Sequence, residues 1–129
     1  MSADTRQSRT ELTWFEIPAA DFDRATRFYE AVLAMPLERQ HDPVMGAMAI
    51  FPTPQGGSMG AVTLDPRQSP GVEGTMIYLH VGDLDAALDR SLAQGGSVLQ
   101  ARVELPGDIG WVAVIRDSEG NRVGLHQRP

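Results

Sequence analysis

Three side chains in the apolar stretches of this sequence have the chemistry to act on a bound molecule, namely Glu16, His80 and His126. Two imidazoles and one carboxylate form a ligand set that can hold a divalent cation. Without a metal, an imidazole exchanges protons near neutral pH, and a carboxylate can act as a general base. We therefore treat these three residues as candidate catalytic residues. The competing interpretation is that they are the polar lining of a cavity, or that one of them lies at its rim or in a dimer interface.

A second set of side chains has the character of a binding surface. Trp14 lies in the same stretch as Glu16, and Met76 and Tyr78 lie in the same stretch as His80. Aromatic pockets bind flat or apolar small molecules, and methionine adapts to ligands of different shapes. Trp111 could extend this surface or pack against a helix, because the sequence does not fix its direction. Packing in the core is the competing interpretation for the whole set.

The elements that must position these residues can be predicted from caps and hydrophobic spacing. Residues 11–18 suit a strand, and Asp21 then serves as the N-cap of a helix. Apolar residues recur at three- and four-residue spacing from Phe22 to Leu33, and Pro36 ends the helix. Three further strands are predicted at about 37–42, 45–51 and 58–64.

The same pattern restarts after a break that is rich in proline. Residues 75–81 form a strand, Asp83 caps a helix, and Gly95 with Gly96 closes that helix in a left-handed conformation. The predicted apolar stripe of this helix consists of Leu84, Ala87, Leu88 and Leu92. Further strands are predicted at 97–104, 110–116 and 121–127, with the turn Asp117-Ser118-Glu119-Gly120 between the last two.

An offset of 62 residues superimposes the two halves, so that Asp21 falls on Asp83 and Thr13 on Thr75. The order of the elements, their caps and the phase of their apolar residues agree as well, which favours a duplicated unit. We therefore predict an α+β fold in which two tandem βαβββ modules form a single domain. The predicted segments are a flexible tail at 1–10, a domain at 11–129, module 1 at about 11–65, a linker at about 65–73 and module 2 at about 74–127.

The composition limits the cellular compartments and the classes of binding partner that are expected for this protein. The 129 residues include no cysteine, which excludes disulfides and cysteine-type zinc sites and fits a cytoplasmic location. Seventeen acidic residues against eleven basic ones give a net charge of −6, and no run of Lys or Arg interrupts this balance. Nucleic acid and anionic membranes are therefore poor candidate partners. No apolar run reaches the length of about 18 residues that a membrane span needs.

Six segments carry a resemblance to a known family: residues 14–18 (WFEIP), 21–25 (DFDRA), 28–29 (FY), 81–87 (VGDLDAA), 94–96 (QGG) and 117–122 (DSEGNR). They resemble the vicinal oxygen chelate superfamily, which includes lactoylglutathione lyase (glyoxalase), bleomycin- and fosfomycin-resistance proteins and extradiol dioxygenases. The resemblance implies that the mixed sheets curl into a half-open, barrel-like cup with a small-molecule cavity, and that two chains pair as a homodimer. Strand alternation then puts seven residues on the face that lines the cup: Trp14, Glu16, Met76, Tyr78, His80, Gly124 and His126.

The resemblance also implies where metal ligands would stand in the metal-dependent members. The first-strand positions, seven residues before each capping Asp, are Trp14 and Met76, and the last-strand position of the second half is Gly124. Between Pro43 and Leu64, which contains the remaining position, there is no Asp, Glu, His or Cys. We therefore expect no cofactor at the usual site. A divalent metal would need a displaced site built from the three candidate catalytic residues.

Three functions follow from these observations. The first is a bleomycin-resistance-like binding protein that holds a small organic ligand, with Trp14, Met76, Tyr78 and Gly124 as ligand-binding residues. The alternative is a metal-independent lyase or isomerase related to lactoylglutathione lyase, in which Glu16 works with a histidine. The third is a lyase that depends on a displaced metal.

Overall fold

The computed structural model describes residues 9–44 and 46–129, so most of the predicted flexible tail, residues 1–8, lies outside the described residues. The first half contains β1 (Phe15–Pro18), α1 (Phe22–Leu33), β2 (Glu38–Asp42), β3 (Gly46–Pro52) and β4 (Ser58–Thr63). The second half contains β5 (Tyr78–His80), α2 (Leu84–Ala93), β6 (Ser97–Leu105), β7 (Gly110–Arg116) and β8 (Arg122–Gln127). None of the described helices is long and apolar enough to cross a membrane.

Both helices begin at the predicted aspartates. Asp21 accepts a hydrogen bond from the Arg24 N–H at 3.0 Å, and Asp83 accepts one from the Ala86 N–H at 3.1 Å. Each carboxylate satisfies a backbone donor that the first turn of a helix leaves unpaired. At the other end of α2, Gly95 adopts φ +91°, which confirms the predicted left-handed closure.

The strands form two four-stranded sheets with the same internal order, β1-β4-β3-β2 and β5-β8-β7-β6. In each sheet the first strand of the module runs parallel to the last one, and the other pairs are antiparallel. Neither sheet closes into a barrel. The predicted α+β fold of two tandem βαβββ modules is confirmed, including the mixed, half-open sheets.

One hydrophobic core joins the two halves. Phe28 and Tyr29 of α1 are fully buried in it together with Leu84 of α2 and Ile115 of β7. The Tyr29 ring meets Phe51 of β3 edge to face, with 5.6 Å between the ring centroids. Burying each of these large side chains contributes roughly 1.5–3 kcal/mol, so the two modules stabilise one another.

The helix-facing residues of the strands lie where alternation predicts them. Ile17, Leu79, Val123 and Leu125 are buried in this core, and Phe15 and Ile77 pack against it. Trp111 also packs against the core, and the Arg102 guanidinium lies over its ring at 4.9 Å from the centroid. The structure therefore settles the direction of Trp111, which does not extend the cup-facing surface.

Two details of the second half differ from prediction. The strand predicted at 75–81 forms ladder pairs only over Tyr78–His80, and the flanking Ile77 and Val81 each keep one backbone hydrogen bond to β8. In α2, Leu92 is 54% exposed and Ser91 is buried instead. Ser91 stands seven residues after Leu84 and shares its face of the helix. Leu92 stands eight residues after Leu84 and is rotated away from the narrow face by which α2 contacts the core.

Candidate functional site

The faces of the sheets that point away from the helices form two separate surfaces. The first-half cup face consists of Trp14, Glu16, Met48, Ile50 and Ala61. Register explains how they meet, because Glu16 pairs with Ala61 of β4 and Ala61 pairs with Ile50 of β3. Met48, Ile50 and Ala61 are buried, and Trp14 packs against them in a cluster that is distinct from the main core.

Two cavities open beside this cluster. One has a volume of about 350 Å³ and is bordered by Trp14, Met48, Ile50 and the polar side chains of Glu38 and Gln40. The other, of about 630 Å³, lies between β1, the segment that connects the two halves and the second half, and its border includes Trp14, Glu16, residues 69–71 and Arg122. Trp14 lies at the border of both cavities. It therefore presents an aromatic surface to any molecule that enters either one.

Glu16 is held in place by two hydrogen bonds to neutral groups. The Trp14 indole N–H donates to its Oε2 at 3.3 Å, and the Gln68 amide donates to its Oε1 at 2.9 Å. Gln68 comes from the connecting segment, which the sequence did not single out as part of a site. The carboxylate thus fixes the orientation of the Trp14 ring and fastens the connecting segment to β1.

The second-half cup face is built around a close contact between Tyr78 and Gly124. The two residues are ladder partners of the parallel strands β5 and β8. The Tyr78 ring lies so close to the Gly124 backbone that a Cβ atom at position 124 would overlap it. Glycine is therefore required at this position for Tyr78 to lie flat on the sheet. Tyr78 is 51% exposed, and with Met76 and Leu99 it borders a cavity of about 540 Å³.

The structure brings two of the three candidate catalytic residues together. His80 and His126 are ladder partners on the second-half cup face, and His126 Nε2 lies 2.7 Å from the Ile109 carbonyl oxygen. Glu16 belongs to the other sheet. Within residues 9–44 and 46–129, no three His, Cys, Asp or Glu side chains are grouped so that they could hold a metal ion. The catalytic roles of these residues stay predictions.

The positions that the family uses for metal ligands do not fit a cation in this chain. Glu16 and Tyr78 are equivalent in the two halves, so their ladder partners Ala61 and Gly124 are equivalent as well. Ala61 is thus the fourth position, which the sequence left unassigned. Trp14, Met76, Ala61 and Gly124 offer no side-chain oxygen or nitrogen of the kind that binds such cations. The Tyr78 ring also fills the space that a ligand at position 124 would need.

Sequence reasoning missed most of the apolar surface beneath Trp14. Met48 and Ile50 stand two residues apart in β3, a spacing that puts them on the same face of a strand. That alternation was a usable signal. Ala61 and Gln68 carried no such signal, because only the pairing of β1 with β4 and the path of the connecting segment bring them to Trp14.

Comparisons with known proteins agree with this architecture. CFP32 of Mycobacterium tuberculosis, which carries a provisional glyoxylase name, is 28% identical over 118 residues. The match covers 88% of this chain and 44% of CFP32, so the chain spans less than half the length of this curated relative. A glyoxalase/bleomycin resistance protein from Albidiferax ferrireducens T118 has a TM-score of 0.70 at 18% identity, covering 91% of this chain and 98% of that one.

A second solved structure is somewhat more similar in sequence. TnmS3, an antibiotic binding protein from Streptomyces sp. CB03234, has a TM-score of 0.66 at 25% identity, covering 95% of this chain and 98% of its own. The family profile itself matches residues 11–125, nearly the whole chain. The resemblance seen in the sequence is confirmed, and the chain belongs to the Glyoxalase/Bleomycin resistance protein/Dioxygenase superfamily.

Proposed function

We propose that this protein binds a small organic ligand with an apolar or aromatic body on its first-half cup face. The observation that carries the proposal is the cluster of Trp14 with Met48, Ile50 and Ala61, which is separate from the main core. Trp14 borders both cavities, and Met48 and Ile50 border the smaller one. Two of these residues, Trp14 and Ala61, stand where metal-dependent relatives would carry ligands. The residues of this cluster therefore offer a ligand apolar and aromatic contacts.

The geometry around Trp14 favours a flat ligand. The indole is anchored by its N–H to Glu16, so the ring has a fixed orientation and little rotamer entropy to lose on binding. Glu38 and Gln40 border the same cavity and offer polar groups that could orient a bound molecule. A ligand with an apolar ring and one or two hydrogen-bonding groups matches this arrangement.

The relationship to TnmS3 supports a binding role. That protein is described as an antibiotic binding protein, and it covers almost the same length of chain. The metal-independent lyase or isomerase remains the alternative, in which Glu16 acts with His80 or His126. It is less well supported, because both oxygens of Glu16 already accept hydrogen bonds and the two histidines lie on the other sheet.

Tryptophan fluorescence tests the proposal, because the protein has two tryptophans. Trp14 borders the cavities of about 350 and 630 Å³, and Trp111 borders neither. Thermal shift with bleomycin, S-lactoylglutathione and 2-naphthamide would first select a compound that stabilises the fold, since a ligand that binds the native state raises its stability. We expect the selected compound to quench emission in Trp111→Phe but not in Trp14→Phe, and to bind Trp14→Ala about tenfold or more weakly. Unchanged affinity in Trp14→Ala, or no stabilisation by any compound, would overturn the proposal.

A further inference from the structure

The second-half cup face carries an arginine pair that the proposed function does not use. Arg116 ends β7 and Arg122 begins β8, and the two are directly paired across the antiparallel ladder. Both residues are exposed, and both border the cavity of about 540 Å³ that contains Tyr78. Side chains at paired positions project from the same face of a sheet with their Cβ atoms about 5 Å apart.

No carboxylate neutralises this pair within residues 9–44 and 46–129. Arg122 Nη2 donates to the Gly74 carbonyl oxygen at 3.2 Å, and neither arginine takes part in an ion pair there. Glu73 borders the same cavity but forms no ion pair with either of them. Like charges directly opposite one another on adjacent strands are unfavourable unless something compensates them. The pair is therefore a local positive site on a protein whose net charge is −6.

An apolar surface lies next to this positive site. Tyr78 and Gly124 form the neighbouring row of the ladder, two residues along β8 from Arg122. Two residues of a strand span about 7 Å, so the arginine pair and the Tyr78 row are about that far apart. This distance is roughly the length of a bicyclic aromatic molecule from its substituent to the far edge of its second ring. The Tyr78 ring lies against the Gly124 backbone, and Met76 and Leu99 border the same cavity.

We propose that the second-half cup face is a binding site for an organic anion. A carboxylate, sulfonate or phosphate group would accept hydrogen bonds from the Arg116 and Arg122 guanidinium groups, whose planar forks match such oxygens in pairs. The apolar body of the same molecule would lie on the exposed Tyr78 ring. This site lies on the other sheet from the Trp14 surface, although Arg122 also borders the cavity of about 630 Å³. It selects for a negative charge, which the Trp14 surface of the proposed function does not require.

A pair of matched probes tests the charge requirement. 2-Naphthoate and 2-naphthamide share a ring system and differ in charge. We expect 2-naphthoate to perturb the backbone amide resonances of Arg116, Arg122 and Gly124 in a ¹H–¹⁵N spectrum, and Arg116→Gln or Arg122→Gln to weaken its binding by about tenfold or more. 2-Naphthamide should bind all variants alike. Arg27→Gln removes the same charge from an exposed position of α1 and should leave the affinity for 2-naphthoate unchanged.

Each other outcome counts against the anion site. Equal perturbation of the Arg116, Arg122 and Gly124 amide resonances by the two probes, or equal affinity of Arg116→Gln and the unsubstituted protein for 2-naphthoate, would show that the arginines do not select charge. Binding that is lost in Trp14→Ala but kept in both arginine variants would place the anion on the first-half cup face. Failure of the unsubstituted protein to bind 2-naphthoate at millimolar concentration would also refute the proposal, without affecting the Trp14 site.

Discussion

Glu119, in the turn between β7 and β8, forms an ion pair with Arg24 of α1 at 2.6 Å between Oε2 and Nε, although 95 residues separate them. The Glu119 side chain is fully buried and also accepts hydrogen bonds from the backbone N–H groups of Ala20 and Asp21, at 2.9 and 2.7 Å. The turn of the second module thus binds the backbone just before the first helix of the first module. Segments 21–25 and 117–122, which carry the family resemblance, meet at this contact.

Removing the charge of Glu119 should destabilise the whole domain. In Glu119→Gln the side chain keeps its size but loses the charge that pairs with Arg24. One carboxylate oxygen is replaced by an NH₂ group, which cannot accept the hydrogen bonds that Arg24 and the backbone N–H groups of Ala20 and Asp21 donate. Charge-assisted hydrogen bonds contribute about 1.5–3 kcal/mol each, so we expect a loss of about 2 kcal/mol in the free energy of unfolding. Urea denaturation measures this loss. Glu73→Gln, at an exposed position, is the control and should change stability by less than about 0.5 kcal/mol.

The same carboxylate predicts a loss of stability in acid. Burial opposes the ionisation of Glu119, but hydrogen bonds from Arg24, Asp21, Ser118 and Ala20 outweigh it and lower its pKa from 4.5 to about 2. A group whose pKa is depressed in the folded state stabilises that state above its unfolded pKa. This contribution is therefore complete above about pH 5 and is lost as the pH falls from about 4.5 towards 2. The difference in stability between the unsubstituted protein and Glu119→Gln should shrink over that interval, and a constant difference would refute the assignment.

Tyr29 and Asp117 form a second link between the modules. The Tyr29 hydroxyl donates to Asp117 Oδ2 at 2.6 Å, and both residues are buried. Tyr29→Phe keeps the packing of the ring and removes only this bond, so we expect a loss of about 1–2 kcal/mol in urea denaturation. Tyr78→Phe makes the same chemical change at a residue that is 51% exposed and should leave stability unchanged. Equal effects of the two substitutions would mean that the buried bond does not hold the modules together.

The parts of the fold that depend on local signals could be predicted from the sequence. Asp21 and Asp83 predict the starts of their helices, because an N-cap is a contact between residues that are three apart in the sequence. The alternation of β1, β5 and β8 also placed the helix-facing residues correctly. The roles of Glu119 and Asn121 could not be predicted in this way. Asn121 Nδ2 donates to the Pro18 carbonyl oxygen 103 residues away, and only the packing of one module on the other makes such a partner available.

The candidate site was only partly predictable for the same reason. Trp14 could be assigned to the cup from alternation, but its neighbours Ala61 and Gln68 depend on the pairing of distant segments. The alternation of side chains along their strands puts both Glu16 and His126 on a cup-facing side, and they were grouped on that basis. Alternation within a strand does not show whether two different sheets bring their cup-facing sides together. The two halves of the repeat carry separate cup faces in this chain, each with a cavity of its own, and of these three cavities only the one of about 630 Å³ has residues of both halves at its border.

Gly124→Ala should disturb the second-half cup face through Tyr78. A Cβ atom at position 124 would overlap the Tyr78 ring, so the ring must leave its position on β8 or the two strands must separate. Overpacking of this kind costs about 1–3 kcal/mol, measurable by urea denaturation. Tyr78→Ala in the same chain should remove most of that cost, because the clash disappears with the ring; a double-mutant cycle gives the coupling. Gly82→Ala meets no neighbouring atom and serves as the control. If Gly124→Ala were equally destabilising with and without the Tyr78 ring, the contact between Tyr78 and Gly124 would not be the reason for glycine at this position.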